Sequence, residues 1–325
     1  MIGNLFKKNI ISVAVATTLS LGITSNSHAG ALSFSQLSVN GLTISNSGGT
    51  QYGVSDFASI NIGNLGSDTA SLNGAASTSN SLGPSPGNVA LPQACQGAGC
   101  PADNTFTPQV AVIAPNPVVP IPGIQFARGD MDLNGAIITG TPFGTSASSS
   151  QVSEIELNQT GDGNGSTTAG TGTQFMFQLA SADSMTFNAT AFGLTQVALA
   201  VDAINGLSTA GFSFSISIRD LGTIAAPTND LIYTFQPGEL NANSSLSIAS
   251  PGSVEYQLAS TPFSALGVNL TTPVLNSTDR YILTIDSHTQ AGSRVVEGVV
   301  PEPASLALLA AGLFGMGMVR RRRKA

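Results

Sequence analysis

In Gly211–Ile218, GFSFSISI, every second residue is large and apolar: Phe212, Phe214, Ile216 and Ile218 alternate with Ser213, Ser215 and Ser217. A period of two puts one set on each face of an extended strand, whereas a helix would scatter both sets around its axis. The stretch is therefore a half-buried antiparallel strand with its apolar side inward. Similar runs recur from Phe126 onward: EIELN, TQFMFQLA, SMTFNATAF, DLIYTF, SVEYQLA and RYILTIDSHTQAGSRVV. Gly206, Pro227-Thr228-Asn229 and Pro237-Gly238 separate them as turn residues do. This pattern predicts an all-β fold, an antiparallel β-sandwich that is jelly-roll-like. Gln196–Ile204, QVALAVDAI, suits either a strand or a short helix.

The chain divides by composition. Residues 30–73 carry short apolar stretches and form an N-terminal β segment, in which Leu37 and Val39 face Leu42 and Ile44 across Asn40-Gly41. Asn-Gly favours a two-residue hairpin turn, so a hairpin is expected there. Residues 74–125 turn to Ser, Pro, Gly and Ala, including APNPVVPIPG. Proline lacks the amide donor of a central strand, so this segment is expected to be loop, edge or polyproline-like, and is read as a surface loop or linker. Residues 126–298 hold the sandwich.

Charge narrows the partners. Only 9% of the 325 residues are charged, against about 25% in ordinary soluble domains. Setting aside Lys7, Lys8 and the basic C-terminus leaves four arginines, Arg128, Arg219, Arg280 and Arg294, against seventeen acids between Asp56 and Glu297. That is a formal charge near −13 on a body without lysine. Nucleic acid is excluded as a partner, because phosphate binding needs clustered Lys or Arg.

Both ends read as targeting segments. Lys7 and Lys8 precede the apolar run Ile10–Ile23, and small residues follow at Ser27-His28-Ala29 and Ala29-Gly30-Ala31. This order is that of a signal peptide over residues 1–29, helical in its apolar part, with signal peptidase cutting so that the mature chain begins at Gly30 or Leu32. Near the other end, Ala304–Val319 is sixteen residues without charge, about 24 Å as a helix against a hydrocarbon core of about 30 Å. Arg320, Arg321, Arg322, Arg323 and Lys324 follow, a basic stop that keeps the tail cytoplasmic. The expectation is a secreted body held briefly at the inner membrane by a weak transmembrane helix.

Pro301-Glu302-Pro303, then a Gly/Ala/Leu span, then the Arg cluster resembles the PEP-CTERM sorting domain, covering residues 299–325. The resemblance implies recognition by exosortase, a membrane protease-transpeptidase of Gram-negative bacteria that make exopolysaccharide. It implies cleavage near Pro301, Glu302 and Pro303, and release or attachment of the body at the cell surface or in the extracellular matrix.

Candidate sites in the body are few. GDMDLNGAI places Asp130, Asp132 and Asn134 at alternate positions before Gly135, like the opening half of a calcium loop. The twelfth position is Thr141, where a bidentate Glu belongs, so a polar turn competes with this metal reading; TGDGNGS over Thr160–Ser166 is a weaker echo. Calcium is the only cofactor candidate. Cys95 and Cys100 in CQGAGC are expected to form a disulfide in an exported protein. Asp286 and His288 share a strand face while Ser287 points away, which argues against a catalytic triad. Glu154 and Glu156, about 7 Å apart on one strand face, or Glu255, are the carboxylates an inverting glycosidase would use.

TFTPQ, FARGDMDLNGAIITGTPFGT and SEIELNQTG also resemble the EDSAP group of exosortase-dependent surface proteins, with Gly129 where that pattern has Ala. This second resemblance implies no activity. The function expected is that of a non-enzymatic surface or matrix protein associated with exopolysaccharide or biofilm. The alternatives are a calcium-assisted carbohydrate-binding module and a secreted glycosidase.

Overall fold

The computed structural model describes residues 29–84, 89–109, 124–136, 138, 146–159, 162–200, 203 and 205–296. His28–Glu297 gather into one unit, the body. The signal-peptide helix and the sorting segment, with Pro301, Glu302, Pro303 and Arg320 to Arg323, lie outside the described residues.

Among the described residues fourteen strands build the body: β1 (Ala29–Ser45), β2 (Phe57–Leu72), β3 (Ala75–Pro84), β4 (Val89–Ala90), β5 (Ala94–Ala98), β6 (Gln125–Gly135), β7 (Ala147–Gln159), β8 (Gly163–Leu179), β9 (Thr186–Leu199), β10 (Leu207–Gly222), β11 (Pro227–Phe235), β12 (Leu246–Ile248), β13 (Gly252–Pro262) and β14 (Arg280–Val295). One sheet runs β13-β9-β1-β7-β6-β4, with β5 also on β6. The other runs β11-β10-β14-β8-β2-β3, with β12 also on β10. Every pairing is antiparallel, and the sheets pack face to face as a β-sandwich. The only helical pieces among the described residues are three-residue 3-10 turns.

The β10 alternation holds: Phe212, Phe214, Ile216 and Ile218 are buried against Phe175, Phe177 and Leu283 of the same sheet and Leu37, Val39 and Phe187 of the other. Towards the opposite end the core shrinks to Ala31, Ala70, Ala127, Ala210 and Ala291 with Ile155, Leu157 and Val197. There hydroxyls bridge the sheets. Ser33 Oγ lies 2.6 Å from Ser208 Oγ and 2.6 Å from Ser293 Oγ, and Ser153 Oγ lies 3.0 Å from Thr289 Oγ1. Small side chains let the backbones approach, and these bridging hydroxyls partner one another.

Four expectations differ from the structure. Asn40-Gly41 is no hairpin turn: β1 runs through it, and the register slips there on both sides. Gly41, at φ +68°, supplies the conformation a bulge residue needs. The N-terminal stretch is also no separate segment, because β1 sits between β7 and β9 in the middle of a sheet. Within residues 74–125, β3, β4 and β5 pair with β2 and β6. They add strands at the sheets' margins, where Pro and Gly are tolerated. Gln196–Leu199 belongs to β9, so the helical option for that run fails.

Candidate functional site

The outward side of β6 and β7 is buried. Ala127, Gly129 and Met131 of β6 face the second sheet; Phe126, Arg128 and Asp130 face away from it and are fully buried nonetheless. On β7, Glu154 pairs in register with Arg128 and Glu156 with Phe126. Leu32 and Phe34 of β1 continue this buried outer layer beside Glu156 and Glu154.

Arg128 organises it. Its Nε donates to Glu154 Oε2 at 2.9 Å, and its second terminal nitrogen lies 2.7 Å from the same oxygen. The two terminal nitrogens also donate to the carbonyls of Thr105 and Thr107. Glu154 Oε1 in turn accepts the amide of Gln109 at 2.8 Å. A fully buried ion pair thus straps Thr105–Gln109 across the sheet, and Glu154 is committed to it. Glu255, on the β13 edge, accepts from Gln196 at 2.6 Å. Two of the carboxylates considered for glycoside hydrolysis, Glu154 and Glu255, are thus held by structural hydrogen bonds.

Asp130, Asp132 and Asn134 lie along β6, where alternate residues stand about 7 Å apart and do not wrap around a point as loop ligands do. Asn134 donates to Asp132 Oδ2, and Asp130 Oδ2 accepts the amide of Asn104 at 2.7 Å. Burial pushes the Asp132 carboxyl up, with the Asn134 bond pulling it back. No group of three or more His, Cys, Asp or Glu among the described residues is placed to hold a metal ion. Thr141, the twelfth position, lies outside the described residues.

Asp130 has a different neighbour. A Cβ on Gly129 would stand 2.5 Å from Thr168 O and 2.9 Å from Thr69 O, so only glycine lets β6 come this close to β2 and β8. Asp68, next to Thr69, points into the sandwich with no exposed surface, and neither carboxylate oxygen has a hydrogen-bond partner. Asp130 Oδ1 is also unpartnered. Burial, with the charges of Asp130 and Asp103 behind it, pushes Asp68 up to about 8. Burial and Asp103 push Asp130 up to about 6 despite the Asn104 amide and Arg128. Protonation is how such oxygens avoid an unpaired buried charge. Sequence reasoning passed over Asp68, although it occupies the buried phase of β2 with Ile62, Asn64, Ala70 and Leu72, a visible sign.

On β14, Asp286 and His288 are exposed and Ser287 is buried, so Ser287 does not face the imidazole; the exposed hydroxyl-bearing Ser213 of β10 is its cross-strand neighbour. His288 leans over Gly170, where a Cβ would come 2.7 Å from its Nδ1. Burial against the sheet lowers the His288 pKa and raises that of Asp286, each partly offset by the other's charge. A cavity of about 40 Å³ between the sheets is lined by Val39, Leu42, Leu133, Phe175, Phe214 and Ile285 among others, and among the described residues no titratable side chain lines it.

Cys95 and Cys100 form a disulfide, with their Cα atoms 6.3 Å apart, at the end of β5. Closing so small a ring is worth about 2 kcal/mol in the loop-entropy model. Reduction is expected to lower the melting temperature by that modest amount and to leave the sheets' far-ultraviolet signal intact; a scan with and without dithiothreitol checks it.

The two ends of the body meet. β1 begins where β14 ends: Ser33 Oγ donates to Gly292 O at 2.8 Å and touches Ser293. Val295, the last strand residue, is fully buried. The segment beyond matches a known family motif. Residues 299–324 match the PEP-CTERM protein-sorting motif. The chain thus bears an exosortase sorting signal, the mark of a protein exported to the cell surface or beyond it. No curated protein matches the chain, and no solved structure matches it.

Proposed function

We propose that this is a non-enzymatic surface or extracellular-matrix protein of a Gram-negative bacterium. It is cut by exosortase at the inner membrane and acts in an exopolysaccharide layer or biofilm. The sorting motif at residues 299–324 is the observation that carries the reading. The body supports it in three ways. Arg128 and Glu154 are spent on each other, Ser287 is turned away from His288, and among the described residues no acid or base lines the inter-sheet cavity. Cleavage near Pro301 would leave β14 whole, since only Val296–Val300 separate it from the motif. Those six Cα steps reach at most about 21 Å, so the protease must work close to the end of the sandwich where β1 begins.

The calcium-assisted carbohydrate-binding reading asks for converging ligands, and Asp130, Asp132 and Asn134 are strung along a strand instead. Intact-mass spectrometry of the protein from cell surface and medium, with exosortase present and deleted, is the test. A C-terminus near Pro301–Pro303 that depends on exosortase is expected. A chain running to Ala325 in cells with active exosortase would sink the proposal.

A further inference from the structure

Among the described residues, β6 has no ladder partner on its outer margin at Asp130 and Met131. β4 pairs with it at Leu133 and Asp132, and β5 takes over at Gly129, so the chain from Leu91 to Gln93 crosses a gap. Three segments meet there. Leu91 and Met131 pack against Ala169 of β8, which is the ladder partner of Asp68 on β2. The Asp68 side chain, on the inner face of β2, therefore rises from the second sheet beside this gap. The Gln93 amide donates to Asp103 Oδ1 at 2.9 Å, and Gln93 Nε2 donates to Pro101 O at 2.6 Å. The Asn104 amide donates to Asp130 Oδ2 at 2.7 Å. These bonds tie the loop after β5 to Gln93 on one side and to Asp130 on the other.

We propose a calcium site at this gap, with Asp68 and Asp130 as its carboxylate ligands and Gln93 Oε1 as its neutral one. Unmet acceptors point to it. Asp68 and Asp130 have no exposed surface. Both Asp68 oxygens, Asp130 Oδ1 and Gln93 Oε1 are buried without a hydrogen-bond partner among the described residues. Buried polar atoms are nearly always paired, so acceptors gathered without donors call for a cation. A proton would neutralise one carboxyl and supply a single donor, leaving the other acceptors unmet. A divalent ion neutralises both carboxylates and meets several oxygens at once. Every ligand is an oxygen, which favours a hard cation over zinc or copper. Calcium tolerates irregular sets of about six to eight oxygens, water included, whereas magnesium demands a regular octahedron.

Electrostatics agrees with this placement. The charges of Asp130 and Asp103 both act on Asp68, and that of Asp103 acts on Asp130. Asp103 is exposed, so it stands at the mouth as a third negative charge on the path by which an ion enters. This set differs from the Asp130, Asp132 and Asn134 run: its ligands come from three segments far apart in sequence, and Asp132 takes no part. The ion clamps β2 of one sheet to β6 of the other. Extracellular calcium modules bind at about 0.1–1 mM, so the choice of ion rests on the export reading above.

Calorimetric titration of the chelator-treated exported protein with calcium chloride, together with thermal scans, tests the site. One calcium per chain is expected, with a Kd of about 0.1–1 mM and a melting temperature raised by about 3–6 °C at ten times the Kd. Magnesium should raise it less. Asp68→Asn and Asp130→Asn, on different sheets, should each weaken calcium binding at least about tenfold, the worth of about 1.4 kcal/mol, while Asp132→Asn leaves it unchanged. Asparagine keeps the shape of each side chain, and the melting curve in chelator shows that the variant is folded. No heat and no thermal shift at about 10 mM calcium, ten times the weakest of those affinities, overturns the proposal. Binding that survives Asp68→Asn and fails in Asp132→Asn also overturns it, by placing the ion on β6 alone. Neither result touches the export reading, which is judged separately by the C-terminus of the processed chain.

Discussion

Asp68→Asn will raise the melting temperature above pH 7 and flatten its dependence on pH. The sign follows from the direction of the shift. Asp68 has a folded-state pKa of about 8, against an ordinary value of 3.8. Below pH 4 both folded and unfolded chains hold the proton, and the group costs nothing. Between about pH 4 and pH 8 the unfolded chain releases it and the folded chain keeps it, so stability falls as pH rises. Above pH 8 the full penalty is present. Asp130, at about 6, adds a loss of the same sign over the lower part of that window. At about 1.4 kcal/mol per unit, the Asp68 contribution is on the order of 5 kcal/mol. This runs opposite to the usual carboxylate, which is held low by a partner and protects the fold at neutral pH. Asparagine keeps the shape and carries no charge. Thermal scans of both proteins from pH 4.5 to 9 make the check. The native protein is expected to lose stability across the range and the variant to lose much less. Parallel curves would show that Asp68 does not titrate in this window. Millimolar calcium at pH 8.5 gives a further arm: stabilisation of the native protein alone would mean that a cation takes the proton's place beside Asp68.

How much of this was legible depends on where each residue's partner lies. The alternation in Phe212–Ile218 is a local property of the chain, so strand, face and burial could all be read from eight letters. The sorting tail was legible for the same reason, since its apolar span and arginine cluster act through their linear order. In β1 the alternation is equally regular, but it does not say which phase faces inward. Ser33 and Ser35 take the core side, while Leu32 and Phe34 are buried on the outer side. Nothing local announces that the outer side is also covered, because that depends on a strap some seventy residues away. Asn40-Gly41 has the letters of a turn, yet β7 and β9 flank it and extend the strand through a bulge. Asp130, Asp132 and Asn134 have the letters of a calcium loop, but a strand draws them out in a row. Asp68 left a trace as the one acid on the buried phase of β2, beside Ile62, Asn64, Ala70 and Leu72. What set its pKa, the approach of β6 over Gly129, could be known only from the packing of one sheet on the other.

Arg128 shows most clearly how a distant pairing controls this fold, and its replacement has a large expected effect. In Arg128→Met the apolar stem is kept and the guanidinium lost. Glu154 is then left fully buried without its cation, and the carbonyls of Thr105 and Thr107 lose their donors. Removing one partner of a buried ion pair costs about 3–5 kcal/mol, or roughly 6–20 °C in melting temperature at 2–4 °C per kcal/mol. Glu154→Leu alone should cost a similar amount, because it strands the arginine and frees the Gln109 amide. The double replacement removes both charges at once and should recover much of the loss, since an apolar pair of similar volume can equal a buried ion pair. A coupling of several kcal/mol in this cycle is therefore expected, beyond the few tenths by which independent sites depart from additivity. Strict additivity of the two single losses would sink the claim that the pair acts as a unit. Limited proteolysis reads the other half of the role. If Arg128 straps Thr105–Gln109 to the sheet, Arg128→Met must expose that segment to cleavage under conditions where the sheets remain folded. Protection equal to the native protein's would mean that the strap is held by something other than the arginine.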